Sequence, residues 1–258
     1  MRRATKLAVG LASAGTTWVV GLVVAGYAAR GCVVERTTTR LGESLDATVA
    51  LEDLELSLVR GQVGLGGLVI DREHDGHLHV RIDRIDAGIA PLGAYLWNRD
   101  LGQVTVAGVD IEVTAWAVLK IKPPKRKPMV MDHLTIDGAR VVFAPTSVTG
   151  DWGKATLQVT RAEAGPTILR TPMSWLFALE RLDASLDLPG IAPVTLHFEG
   201  GRLEASGSVF GATPIAIDVT LPVPEPGHEG RQLADLGADL AERLALARAE
   251  RLLRRVLP

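Results

Sequence analysis

From residue 45 onward the chain alternates apolar and polar side chains in one stretch after another. This confines it to strands with one wet and one dry face. The alternation runs through Leu54–Leu58, Leu78–Ile85, Val104–Val113, Leu134–Phe143, Thr156–Thr160, Leu182–Leu188, Val194–Phe198 and Ile215–Val219. Turn formers separate these runs: Asp75 with Gly76, Gly88, Gly108, Asp137 with Gly138, Gly200 with Gly201, and Gly211. The expected fold is mainly β, a long antiparallel meander over residues 45–221. Such a sheet has an apolar face to bury, and the segments between its strands supply few helices to cover it. Two solutions exist: a β-sandwich of two packed sheets, or one curved sheet forming a groove that an apolar ligand fills.

Two stretches, Gln103–Val113 and His133–Phe143, line up at an offset of 30 and share the frame apolar-Thr-apolar-x-Gly-apolar-x-apolar. Two readings fit it equally: an internal repeat, with the glycine where two strands meet or one strand bends, or the plain likeness of any two alternating strands. Pro91–Trp97 places proline at a helix start ahead of apolar residues at helical spacing, predicting a short helix near 91–98. Lys120–Pro128 is a basic loop broken by prolines, which no central strand tolerates. The proline-rich 222–229 is a linker. After it, 230–258 predicts an amphipathic helix with a stripe through Leu233, Leu236, Leu240, Leu244, Leu253 and Val256, basic in its last turns.

Residues 1–6 carry Arg2, Arg3 and Lys6, and the 23 residues from Leu7 to Ala29 contain no Asp, Glu, Lys, Arg or His. At about 1.5 Å per residue such a helix reaches roughly 34 Å, enough to cross a hydrocarbon core. The basic flank keeps the N-terminus in the cytoplasm and sends the rest across, with residues 30–44 as a tether. The span is too long for a cleaved signal peptide, and the Ala29, Arg30 and Gly31 before Cys32 do not make a lipidation box. A single cysteine rules out an internal disulfide. The near balance of 28 Lys+Arg against 30 Asp+Glu argues against a nucleic-acid binder.

With the span in front, Thr48–Leu65, then Ile89–Arg99, then the strand Val104–Val113 resemble the N-terminal region of AsmA-like proteins, and Gly201–Gly207 is similar to a strand pair common in them. The resemblance extends in style over residues 1–220 and is best over 1–145. It implies a periplasmic β-groove with an apolar inner face, related to chorein-type bridge-like lipid-transfer proteins, and anchored as a single pass in a bacterial inner membrane. It also implies a part in lipid transport or outer-membrane assembly, with membrane lipids as partners. The chain departs from the long members in being short, which favours a local carrier or a partner of others over a bridge.

On this reading the groove candidates are Leu54, Leu56, Leu58, Val80, Ile82, Val104, Val106, Ile111, Val113, Leu134 and Ile136. The head-group candidates are Lys120, Lys122, Lys125, Arg126 and Lys127, although a solvated surface loop accounts for such a charge run without any ligand. Asp71, His74, Asp75, His77 and His79 are the densest set of metal-ligand types, but a solvated hairpin turn accounts for them, so no metal or other cofactor is expected. No nucleophile elbow, phosphate loop, paired-cysteine site or zincin helix occurs, and no enzyme is expected. The alternative is a non-catalytic β-sandwich that binds another envelope protein through residues 230–258. The helix would otherwise cap the open end of the sheet.

Overall fold

The computed structural model describes residues 46–57, 61–73, 77–89, 100–114, 129–143, 154–170 and 174–256, with scattered positions between 31 and 43. The expected membrane span, the short helix near 91–98 and the basic loop Lys120–Pro128 lie outside the described residues. Among the described residues no helix is long and apolar enough to cross a membrane.

Alternation produces the strands β1 (Thr48–Ser57), β2 (Gln62–Arg72), β3 (Leu78–Ile89), β4 (Asp100–Val113), β5 (Met129–Phe143) and β6 (Ala155–Ala164). The short β7 (Thr167–Leu169) and a 3-10 turn (Ser174–Ala178) come next. Then come β8 (Leu179–Leu188), β9 (Ile191–Glu199), β10 (Arg202–Gly207), β11 (Gly211–Asp218) and the helix α1 (Glu229–Val256). All the strands belong to one eleven-stranded sheet that keeps chain order from β1 to β11, except that β7 pairs with the start of β5. Among the described residues the strands therefore pair edge to edge in one sheet and not in the two of a sandwich, with β1 and β11 at opposite ends of its order.

The antiparallel meander needs one correction. The β4–β5 pair is parallel, with Asp100 beside Val130, Val104 beside Leu134 and Val113 beside Phe143. Every partner lies 30 positions on, so the sequence repeat is also the pairing register. A parallel pair needs a long return rather than a tight turn, and residues 115–128 join opposite ends of the two strands.

A second regularity crosses the sheet. In each of the first six strands the apolar alternation skips one residue: between Leu51 and Leu54, Leu65 and Leu68, Ile82 and Ile85, Val106 and Val109, Ile136 and Ala139, Val159 and Ala162. The registers place all six skips in one line, because Leu51 pairs Leu68, Leu68 pairs Ile82, Ile82 pairs Val109, and Val109 sits beside Ala139, which pairs Val159. An extra residue in a strand would ordinarily turn its apolar set to the wrong side. Here every strand takes the extra residue at the same level, so the face is preserved. Asp83 and Arg84 are consecutive yet both exposed, as this requires. Gly67 and Gly108 accommodate the line with φ of 62° and 64°, and a Cβ on Gly108 would come within 2.8 Å of the Asp83 side chain down to its Cβ. Such bulges bend strands and increase their twist.

At the far end α1 lies on the apolar face. Leu236, Leu240 and Leu244 pack on a cluster centred on Phe198, Leu203 and Val219, which includes Leu182, Leu196 and Ile217. Gln232 ties the linker to the helix, accepting from Glu225 N–H at 2.9 Å and donating to Val223 C=O at 3.0 Å. Arg243 donates to the Asp218 carbonyl, and Arg251 to those of Phe210, Thr213 and Pro214, so the outer flank of β11 is occupied by guanidinium groups. The capping role of the terminal helix is thus realised. Its three leucines Leu236, Leu240 and Leu244 contribute to this packing.

Candidate functional site

The sheet is amphipathic across its width. One face is charged, and its ions meet along and across strands. Arg84 Nε donates to Asp86 at 2.7 Å and its Nη2 to Glu55 at 3.1 Å, a reach across β2 that passes over Gly64. Arg161 meets Glu163 at 2.6 Å, Arg140 meets Asp110 at 3.4 Å and Lys154 meets Glu112 at 2.8 Å. The hydrogen bond from Lys154 holds the Glu112 carboxyl below its ordinary range. On β8 and β9, Arg181 meets Asp183 at 2.9 Å, and Asp183 meets His197 at 2.6 Å. The bond from His197 lowers the Asp183 pKa, and the same bond raises that of the imidazole. These pairs are partly exposed and individually weak, so their effect is to keep this face wet.

The other face carries the groove candidates. Val104, Leu134, Val106 and Ile136 are adjacent on β4 and β5 and pack with Met131, Ala164, Ile85 and Ala87. Trp175 and Ala178 of the 3-10 turn lie on this group. Gly165 N–H donates to Ala178 C=O at 2.9 Å, and Ser174 Oγ accepts from Arg170 N–H, which together hold the turn in place. On the other side of the skip line, Val80, Ile111 and Val113 join Leu78 and Val141. Ile82 pairs Val109, and Leu54 pairs Leu65. Leu56 belongs to β1 beside Val63, while Leu58 lies outside the described residues.

Burial along this face is uneven. Leu54, Leu68, Ile70, Leu78 and Val113 are all under a tenth exposed, while their neighbours Leu51, Leu65, Val80, Ile82 and Val109 are half-buried. Sequence reasoning missed Leu65, Leu68, Ile70, Met131 and Trp175 as members of this face. The first three were legible from alternation within β2, once its glycines are read as the level of the skip.

The head-group candidates Lys120, Lys122, Lys125, Arg126 and Lys127, and His74, lie outside the described residues. His79 pairs with Asp71 across the β2–β3 hairpin, its Nδ1 3.8 Å from the carboxylate. The His77 carbonyl accepts from Thr114 N–H at 2.9 Å. Among the described residues no three His, Cys, Asp or Glu gather as a metal site. Comparison with protein-family models and with curated proteins finds no match.

Proposed function

We propose that this chain is an AsmA-like envelope protein, anchored in the inner membrane by residues 7–29, that aids lipid transport or outer-membrane assembly without catalysis. It does so by holding acyl chains against the apolar face of β1–β5. The observation that supports this reading is the single sheet with one charged and one apolar face, the apolar rows running without a break from β1 to β5. A two-sided water-facing sheet would have polar residues on both faces, and a sandwich would have a second sheet here. Hydrocarbon against Val80, Ile82 and Val109 gains roughly 25 cal/mol for each Å² removed from water, with no directional bonding demanded of the ligand.

The test is photo-crosslinking of the full chain in nanodiscs containing a diazirine-bearing phospholipid. Photoreactive contact at Val80, Ile82 and Val109, with none at Arg81 and Asp110 on the charged face, supports an acyl-chain site. Equal labelling of both faces, or no labelling of either, removes it.

A further inference from the structure

The outward side of α1 changes character along its length. Over the first half it carries ions that meet one turn apart: Arg231 stands 3.9 Å from Asp235, and Arg243 lies 2.9 Å from Asp239. From Leu246 onward that side is apolar. Leu246 and Leu253 are each 58% exposed and Leu252 is 50% exposed, whereas Leu236, Leu240 and Leu244 are half-buried on the sheet. At 3.6 residues per turn Leu246 and Leu253 fall on the side of the helix away from Leu240 and Leu244, with Leu252 on its flank. Leu253 therefore does not continue the sheet-facing stripe that the sequence predicts. Arg251 fixes the orientation: its guanidinium donates to the carbonyls of Phe210, Thr213 and Pro214, and rolling the leucines onto β11 would break all three bonds.

Charge changes at the same point. Glu250 is the single acid after Glu242, whereas Arg243, Arg248, Arg251, Arg254 and Arg255 all follow it. Arg248 and Arg254 are exposed, meet no carboxylate among the described residues, and stand on opposite flanks of the leucines. A helix that only sealed the sheet would present paired ions outward to its end, as the first half does.

We propose that the last turns of α1 are a membrane-surface contact, in which Leu246, Leu252 and Leu253 enter the acyl boundary of an anionic bilayer and Arg248 and Arg254 reach its phosphate groups. Leucines with a long basic side chain on either flank suit that interface, because the guanidinium stays at head-group level while the leucines go below it. A second copy of this chain suits the face less. Three half-exposed leucines supply well under the roughly 800 Å² that each side of a stable interface buries. The outward acids Asp235 and Asp239 are already engaged by Arg231 and Arg243, so they are not free to answer the arginines of another copy. This inference is independent of whether the sheet holds acyl chains.

The full chain with Cys32→Ser receives one further substitution at a time, Leu246→Cys, Leu253→Cys or Asp235→Cys, and a nitroxide label. It is reconstituted in vesicles of phosphatidylcholine alone or mixed in equal parts with phosphatidylglycerol. Collision with oxygen, which concentrates in hydrocarbon, and with a water-soluble nickel chelate reports where each label lies. The labels at 246 and 253 are expected to meet oxygen and escape nickel in the anionic vesicles alone, while the label at 235 meets nickel in both. Arg248→Gln with Arg254→Gln should lower the docking equilibrium roughly thirtyfold, about fivefold for each basic residue at such a surface. Unchanged hydrogen exchange in Gly211–Asp218 shows that α1 stays in place in these variants. Nickel access at 246 in both vesicle types overturns the proposal, as does equal shielding in both. Dipolar broadening between copies overturns it in favour of self-association, and a label immobilised away from both reagents overturns it in favour of a protein surface.

Discussion

The two ends of one sheet are finished in different ways. At the β8–β11 end, α1 seals both the apolar face and the outer strand, with leucines on the first and arginines on the second. At the β1–β3 end the same alternation yields the same apolar rows, with Leu54, Leu68 and Ile70 buried and Leu51, Leu65 and Ile82 half-buried. The strands are equally amphipathic, so the difference arises from the residues C-terminal to the last strand. Pro222–Gly227 breaks the sheet pattern and leads into 28 residues of helix. One end is thereby committed to internal stability.

Substitutions sort the two ends. Phe198→Ala at the sealed end empties a site only 4% exposed and is expected to cost about 3–5 kcal/mol in urea unfolding. Val109→Ala on the half-buried face is expected to cost about 1 kcal/mol. Equal costs would break the comparison. The skip line comes next. Gly138→Ala meets open space at a φ of 75° and should cost about 1–2 kcal/mol from backbone strain. Gly108→Ala adds the collision with Asp83, for roughly 1–3 kcal/mol more, and pairing it with Asp83→Ala should return that excess. Arg251→Ala frees three carbonyls at the β11 end. It should lower stability by about 1–2 kcal/mol and speed exchange in Gly211–Asp218 while β1 is unchanged.

The smallest effect concerns pH. His197 has a raised pKa, so its contribution is complete below the ordinary imidazole value of 6.5 and fades as pH rises through the raised one. Asp183 has a lowered pKa, so its contribution is complete above 3.8 and fades as pH falls through the lowered one. Between those values the pair contributes in full, less than about 1 kcal/mol because both side chains are a third exposed. Asp183→Asn should flatten that part of a plot of urea midpoint against pH.

Much of this architecture is legible in residue order. Alternation marks the long strands, and the spacing of Leu236, Leu240 and Leu244 marks the helix that covers them. The offset of 30 between Gln103 and His133 is equally plain, but it says only that two stretches are alike. It does not tell whether they run together or opposed, because direction is decided by the path of the residues between them. The skips at Leu51–Leu54 and Ile82–Ile85 are also visible one strand at a time. That they form one line is a property of registers, which depend on hairpin lengths and not on any single strand. The choice of one sheet over two is likewise tertiary, since both demand the same alternation. For the candidate site, Val80, Val104, Ile111 and Leu134 were readable from their parity, whereas Trp175 reaches the face from a short turn with no period to announce it.

The parallel register of β4 and β5 sets a rule of divergence. A segment lying beside its own echo has each side chain next to its counterpart, so what may stay the same depends on chemistry. Thr105 beside Thr135, Val106 beside Ile136 and the two glycines at the bulge tolerate likeness, because apolar and hydroxyl neighbours attract their own kind. Charge does not. A faithful copy would set aspartate against aspartate, and at this place the chain has Asp110 against Arg140. Repeats stacked in this manner can retain their dry residues over many copies but must vary their wet ones. Relatives of such a chain would then share their apolar positions more faithfully than their ions.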